Sequence, residues 1–103
     1  MFQRRVFMSN YRKIVIETYS GAREGSTGAP PARPLPGQGF DTNLKVECSS
    51  SMRGNNPIGA KFLIEAKLTE AYGTPFLYSS YRWSWKIVTN IEVAKHIQSL
   101  GHI

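Results

Sequence analysis

Histidine, cysteine and aspartate are scarce in this sequence. A single cysteine, Cys48, stands among the 103 residues. One thiol closes no internal disulfide, so a stapled secreted domain is excluded. The two histidines, His96 and His102, stand six positions apart, which is not the i and i+4 spacing of a metal pair on one helix face. Asp41 is the only aspartate. No acid, base and nucleophile can be nominated together, and no pair of carboxylates to flank a scissile bond. Ser49-Ser50-Ser51 lacks a Gly-x-Ser-x-Gly frame, and Gly37-Gln38-Gly39 lacks the rest of a phosphate cradle. The expectation is a non-enzyme without metal or cofactor. Long apolar runs are also missing. Nothing approaches the ~20 residues that span a bilayer. Arg4 and Arg5 are not followed by an apolar stretch of the signal-peptide kind. A cytoplasmic protein with no membrane contact is expected.

What remains is globular: 41% hydrophobic and 19% charged residues, enough for one domain over 1–103 with one modest core. The formal charge is +6. Arg4, Arg5, Arg12 and Lys13 all lie before position 14, where no acid occurs. The excess therefore concentrates on an N-terminal arm, residues 1–11, and its continuation. Such an arm either solubilises the chain or touches an anionic partner.

Periodicity then places the elements. The β-branched cluster of 12–19 predicts a strand, with Ile14 and Ile16 on one face and Val15 on the other. Four of six prolines fall in 20–42, which predicts a long irregular loop. Residues 43–48 alternate, with Leu44, Val46 and Cys48 inward. Ser49 or Ser50 suits the cap of a single helical turn ending at Gly54. The best strand is 60–70, with Phe62, Ile64, Ala66 and Leu68 inward. It pairs as a hairpin with 76–88 across Ala71-Tyr72-Gly73-Thr74-Pro75. The aromatic parity shifts from Phe76 and Tyr78 to Tyr81, Trp83 and Trp85, which predicts a one-residue bulge near Ser79-Ser80. Phe76, Tyr78, Trp83 and Trp85 would then be buried together, leaving Arg82, Ser84 and Lys86 exposed. Thr89-x-x-Glu92 reads as a capping box for a helix over 90–100, with Ile91, Ala94, Ile97 and Leu100 as its apolar stripe.

The string Pro57-x-Gly59-x-Lys61-Phe62, Ala66-Lys67-Leu68-Thr69, Gly73-Thr74-Pro75-Phe76-Leu77-Tyr78 and Trp83-x-Trp85, with Pro34-Leu35-Pro36-Gly37-Gln38-Gly39 before it, resembles short uncharacterised bacterial proteins of the kind carried as integron gene cassettes. The resemblance implies a small β-rich domain of bacterial origin. It implies no activity and no site residue.

The fold class expected is all-β: a small, strongly curved antiparallel sheet or partial barrel with a C-terminal α-helix. The alternative is an open α+β sheet with one helix. The function expected is a small binding or assembly module that forms a homodimer and has room for a small apolar ligand. Val15, Tyr19, Leu63, Val93 and the arm's Phe2, Val6, Phe7 and Tyr11 supply the apolar surface for it. The alternative is single-stranded nucleic-acid binding. Its contact residues would be Arg4, Arg5, Arg12 and Lys13 with Tyr81, Arg82, Trp83 and Trp85.

Overall fold

The computed structural model describes residues 11–21 and 28–101. Arg4, Arg5, Phe2, Val6, Phe7 and His102 lie outside the described residues. Six strands form one mixed, nearly closed, barrel-shaped sheet, and a C-terminal helix lies outside it. The strands are β1 (Arg12–Thr18), β2 (Ala32–Pro34), β3 (Lys45–Glu47), β4 (Lys61–Ala71), β5 (Thr74–Tyr78) and β6 (Lys86–Ile87). Helix α1 (Ser50–Gly54) is one short piece, and α2 (Asn90–Leu100) follows β6. The curved sheet with its terminal helix is the architecture read from the sequence. The strands are not all antiparallel, because β3 runs parallel to β5.

The order β2-β1-β4-β5-β3 hangs on β4, with β6 added to β4 off that path. Along one edge, Lys61 to Ala66 pair antiparallel with β1. Along the other, Lys67 to Ala71 pair with β5, and Phe62 and Leu63 pair with β6. The β4–β5 hairpin turns on two residues, Tyr72 (φ 54°) and Gly73 (φ 81°). Two consecutive positive φ values define the type I′ turn that matches strand twist.

Two cores result. Inside the barrel, Ile14, Ile16, Val46, Phe62, Ile64, Ala66 and Leu77 meet Met52 from α1. Ser49 caps that short helix, its hydroxyl accepting the Met52 N–H at 3.2 Å. Outside the sheet, Val15, Leu35, Val88 and Val93 form a second core, with Leu63 and Ile97 packed against it. The capping box of α2 is present: Thr89 Oγ1 accepts the Glu92 N–H and Glu92 Oε1 accepts the Thr89 N–H.

Several expectations are corrected. Residues 76–88 are not one strand. Tyr78 faces Lys67 while Lys86 faces Leu63, so eight positions of chain cross four positions of β4. The excess is four residues rather than one, and an even excess leaves the alternation in phase. Leu77, not Phe76 or Tyr78, points into the barrel. The rings do not form the core, which is built from aliphatic side chains, Phe62 and Met52. Leu68 ends the interior row half-exposed. The helix docks in another phase, burying Val93 and leaving Ile91 69% exposed. Val15, Leu63 and Val93 thus pack against one another within the chain, with Leu63 only partly buried. The Pro/Gly-rich loop contains β2, and its Gln38 is buried.

Candidate nucleic-acid interface

Strand alternation decides what the outer face of the sheet carries. On β1 the odd positions are Lys13, Val15 and Glu17, with Tyr11 just before the strand; on β4 they run from Lys61 through Leu63, Glu65 and Lys67 to Ala71. Helix α2 covers the half bearing Val15 and Leu63. His96 reaches across to the Lys13 carbonyl at 3.1 Å and marks the limit of that cover. Beyond it the face continues through Lys67 to Tyr78 on β5, and on to Glu47 of β3 beside Tyr78 and Lys45 beside Phe76.

The segment between β5 and β6 folds back over this uncovered half. Ser79 N–H donates to Glu47 C=O at 2.8 Å and anchors its start. Ser80 then shapes the turn, its hydroxyl accepting the Arg82 N–H and its carbonyl accepting the Trp83 N–H. This places Trp83 edge-on to Tyr11, with centroids 4.6 Å apart, and 6.3 Å from Tyr78. Lys67 Nζ lies 5.3 Å from the Tyr11 ring centroid, in cation–π range. Tyr81 is 70% exposed, and its hydroxyl accepts a bond from Arg82 Nε at 3.2 Å.

Trp85 stands apart. It is 41% exposed and sits edge-on to Phe62, with centroids 5.6 Å apart. Its ring forms one wall of a cavity of about 180 Å³ that Lys13, Glu65, Ser84 and Lys86 also line. Lys86 Nζ is 3.5 Å from Glu92, whose pKa is lowered first by the bond from the Thr89 backbone and then by this ammonium group.

Of the residues nominated from the sequence, the structure brings Lys13 to Trp85, and Tyr81 to Arg82. Trp83 joins a different cluster, with Tyr11 and Tyr78. Arg12 is separated from all of them. It points to the opposite side of β1, over the Phe40 ring at 4.9 Å, and donates to the Gln38 carbonyl. Tyr11, Lys67 and Tyr78 were missed as site residues. Tyr11 shares parity with Lys13, and that signal was available. Among the described residues no group of three His, Cys, Asp or Glu side chains could hold a metal ion. Among them, too, no helix is long and apolar enough to cross a membrane.

The fold and face define a small barrel-like β protein with a half-covered outer sheet surface rich in rings and ammonium groups. No family model, curated protein or solved structure matches the chain.

Proposed function

We propose that the protein binds single-stranded nucleic acid across the surface that the β5–β6 segment builds over the part of the outer sheet face left by α2. The observation that carries this reading is the shared surface of Tyr11, Lys67, Tyr78 and Trp83, where a cation lies over one ring and the other rings stand beside it. Exposed aromatic faces stack bases at ~1–3 kcal/mol each without demanding a sequence, while lysine and arginine follow the phosphates. Lys13, Lys67, Arg82 and Lys86 supply that charge locally, and the +6 of the whole chain adds a long-range attraction.

The test is a titration of labelled oligouridine or oligothymidine, followed by anisotropy and by indole fluorescence, at several salt concentrations. Neutralising about three phosphates on a single strand gives a slope of log K against log salt of roughly −2. Absence of binding at low salt, or binding without salt dependence, would reject the reading. Self-association is the competing reading, supported by the half-exposed Leu68 and Ile87. It expects a larger species in light scattering that high salt does not dissociate.

A further inference from the structure

The cavity beside Trp85 is a gap in strand pairing, and its position follows from the register. Val88 N–H donates to Lys61 C=O at 3.0 Å, so Lys61 directs its main-chain groups toward the β6 edge of β4. The two-residue period repeats this at Leu63, opposite Lys86, and again at Glu65. Pairing with β6 stops at Leu63, however, and pairing with β5 begins only at Lys67. The four-residue excess between β5 and β6 falls in this interval. It leaves the N–H and C=O of Glu65 directed into a slit with no strand across from them among the described residues.

We propose that this slit is a base-reading pocket, taking one nucleobase turned out of the strand. The inference rests on the single-strand reading above and names what one element of that surface recognises. A main-chain donor and acceptor side by side match the adjacent acceptor and donor that a nucleobase presents along its pairing edge. The Trp85 ring, held from below by Phe62, forms the stacking wall. Lys13 and Lys86, which also line the cavity, supply charge for the phosphate on either side, and Ser84 adds a hydroxyl. Volume selects the ligand class. At about 180 Å³ the slit is below the ~300 Å³ floor of drug-sized ligand pockets, so it accepts a ring and leaves sugar and phosphate outside.

The experiment is an NMR titration of the whole chain with uridine 5′-monophosphate at millimolar concentration. Parallel titrations use 3-methyluridine 5′-monophosphate, which stacks but has lost its edge donor, and ribose 5-phosphate, which has no base. The expected result is a saturable shift of the Glu65 amide and the Trp85 indole N–H with uridine monophosphate. The methylated analogue should bind about tenfold more weakly, the size of one good bidentate base contact. Ribose phosphate should leave both signals in place. Glu65→Ala keeps the main-chain groups and should retain the response. Equal binding of the two nucleotides, no response at Glu65, or loss of the response in Glu65→Ala would each overturn the pocket. The two readings fail separately. Salt-dependent oligonucleotide binding with a silent Glu65 amide removes the pocket and leaves the surface; a responsive amide without oligonucleotide binding does the reverse.

Discussion

The side-chain amide of Gln38 bonds both main-chain groups of Val15: its Oε1 accepts the Val15 N–H at 2.8 Å and its Nε2 donates to the Val15 C=O at 2.8 Å. A side chain here imitates a neighbouring strand. The β1–β2 pairing runs from Thr18 to Ile16, and Gln38 extends it by one residue while also donating to Leu35 C=O at 2.9 Å. Gln38→Ala strands a buried N–H and removes two further bonds. The expected loss is ~2–3 kcal/mol in urea unfolding. Gln38→Glu should cost at least as much at neutral pH, because it turns a carboxylate toward two carbonyl oxygens. A loss under ~0.5 kcal/mol for either variant would show that the amide contributes little.

Gly37 meets two demands at once. Its φ is +95°, and a Cβ there would come within 3.1 Å of Ile97 Cγ2 on α2. Gly37→Ala should destabilise by ~2 kcal/mol, part from the left-handed backbone and part from the displaced helix. Adding Ile97→Ala, which removes Cγ2 itself, separates the parts. The double variant should recover some of the loss if the contact matters, and the coupling is read from a double-mutant cycle in denaturant.

Tyr72 occupies the first left-handed position of the hairpin turn with its side chain fully in solvent. Aromatic residues adopt that backbone at a cost, whereas asparagine adopts it readily. Tyr72→Asn should therefore stabilise the protein by ~0.5–1 kcal/mol, visible as a rise in Tm of a few degrees. Because the side chain touches no part of the proposed surface, oligonucleotide affinity should not change.

The capping box gives a pH signature. The Glu92 pKa is lowered, chiefly by the Thr89 backbone N–H and then by Lys86. A depressed carboxyl pKa contributes stability above the unfolded-state value and loses it as pH falls through the folded-state value. The Thr89 amide resonance should follow this titration in acid, and in Glu92→Gln that step should vanish while the bond to Oε1 persists. Thr89→Ala, which removes the cap itself, should cost ~1 kcal/mol at neutral pH.

Local patterns carried much of the fold. The β-branched cluster at 14–16, the alternation of Phe62, Ile64 and Ala66, the Thr89–Glu92 box and the Ser49 cap all depend on neighbours within a few positions, and all stand as read. The aromatic run depended on a distant choice. Phe76, Leu77 and Tyr78 are apolar on both faces, so alternation alone does not say which side turns inward. Pairing with β3 on one side and β4 on the other decides it, with Leu77 inside. The helix posed the same problem. Ile91, Ala94 and Ile97 form a stripe, and Val93, Ile97 and Leu100 form another. Docking against Val15, Leu35 and Val88 selects the second. Of the candidate interface, Lys13, Tyr81, Arg82, Trp83 and Trp85 were visible as residue types. Their division among three groups was not, because the four-residue excess after Tyr78 is defined only by register against β4.

The dependence of β1 on β4 has a kinetic side. Ile14 and Ile64 are partners, yet fifty positions of chain separate them. A ribosome releases β1, apolar on both faces at Ile14, Val15 and Ile16, long before the strand that shelters it exists. The β4–β5 hairpin, closed by a two-residue turn, needs no such wait. The local hairpin therefore forms first, and β1 joins it by closing a long loop, the slow class of folding event. Until then Lys13 and Glu17, which flank the apolar triplet, are the nearest charges guarding an exposed strand, and synthesis at lowered temperature should favour soluble protein over aggregate.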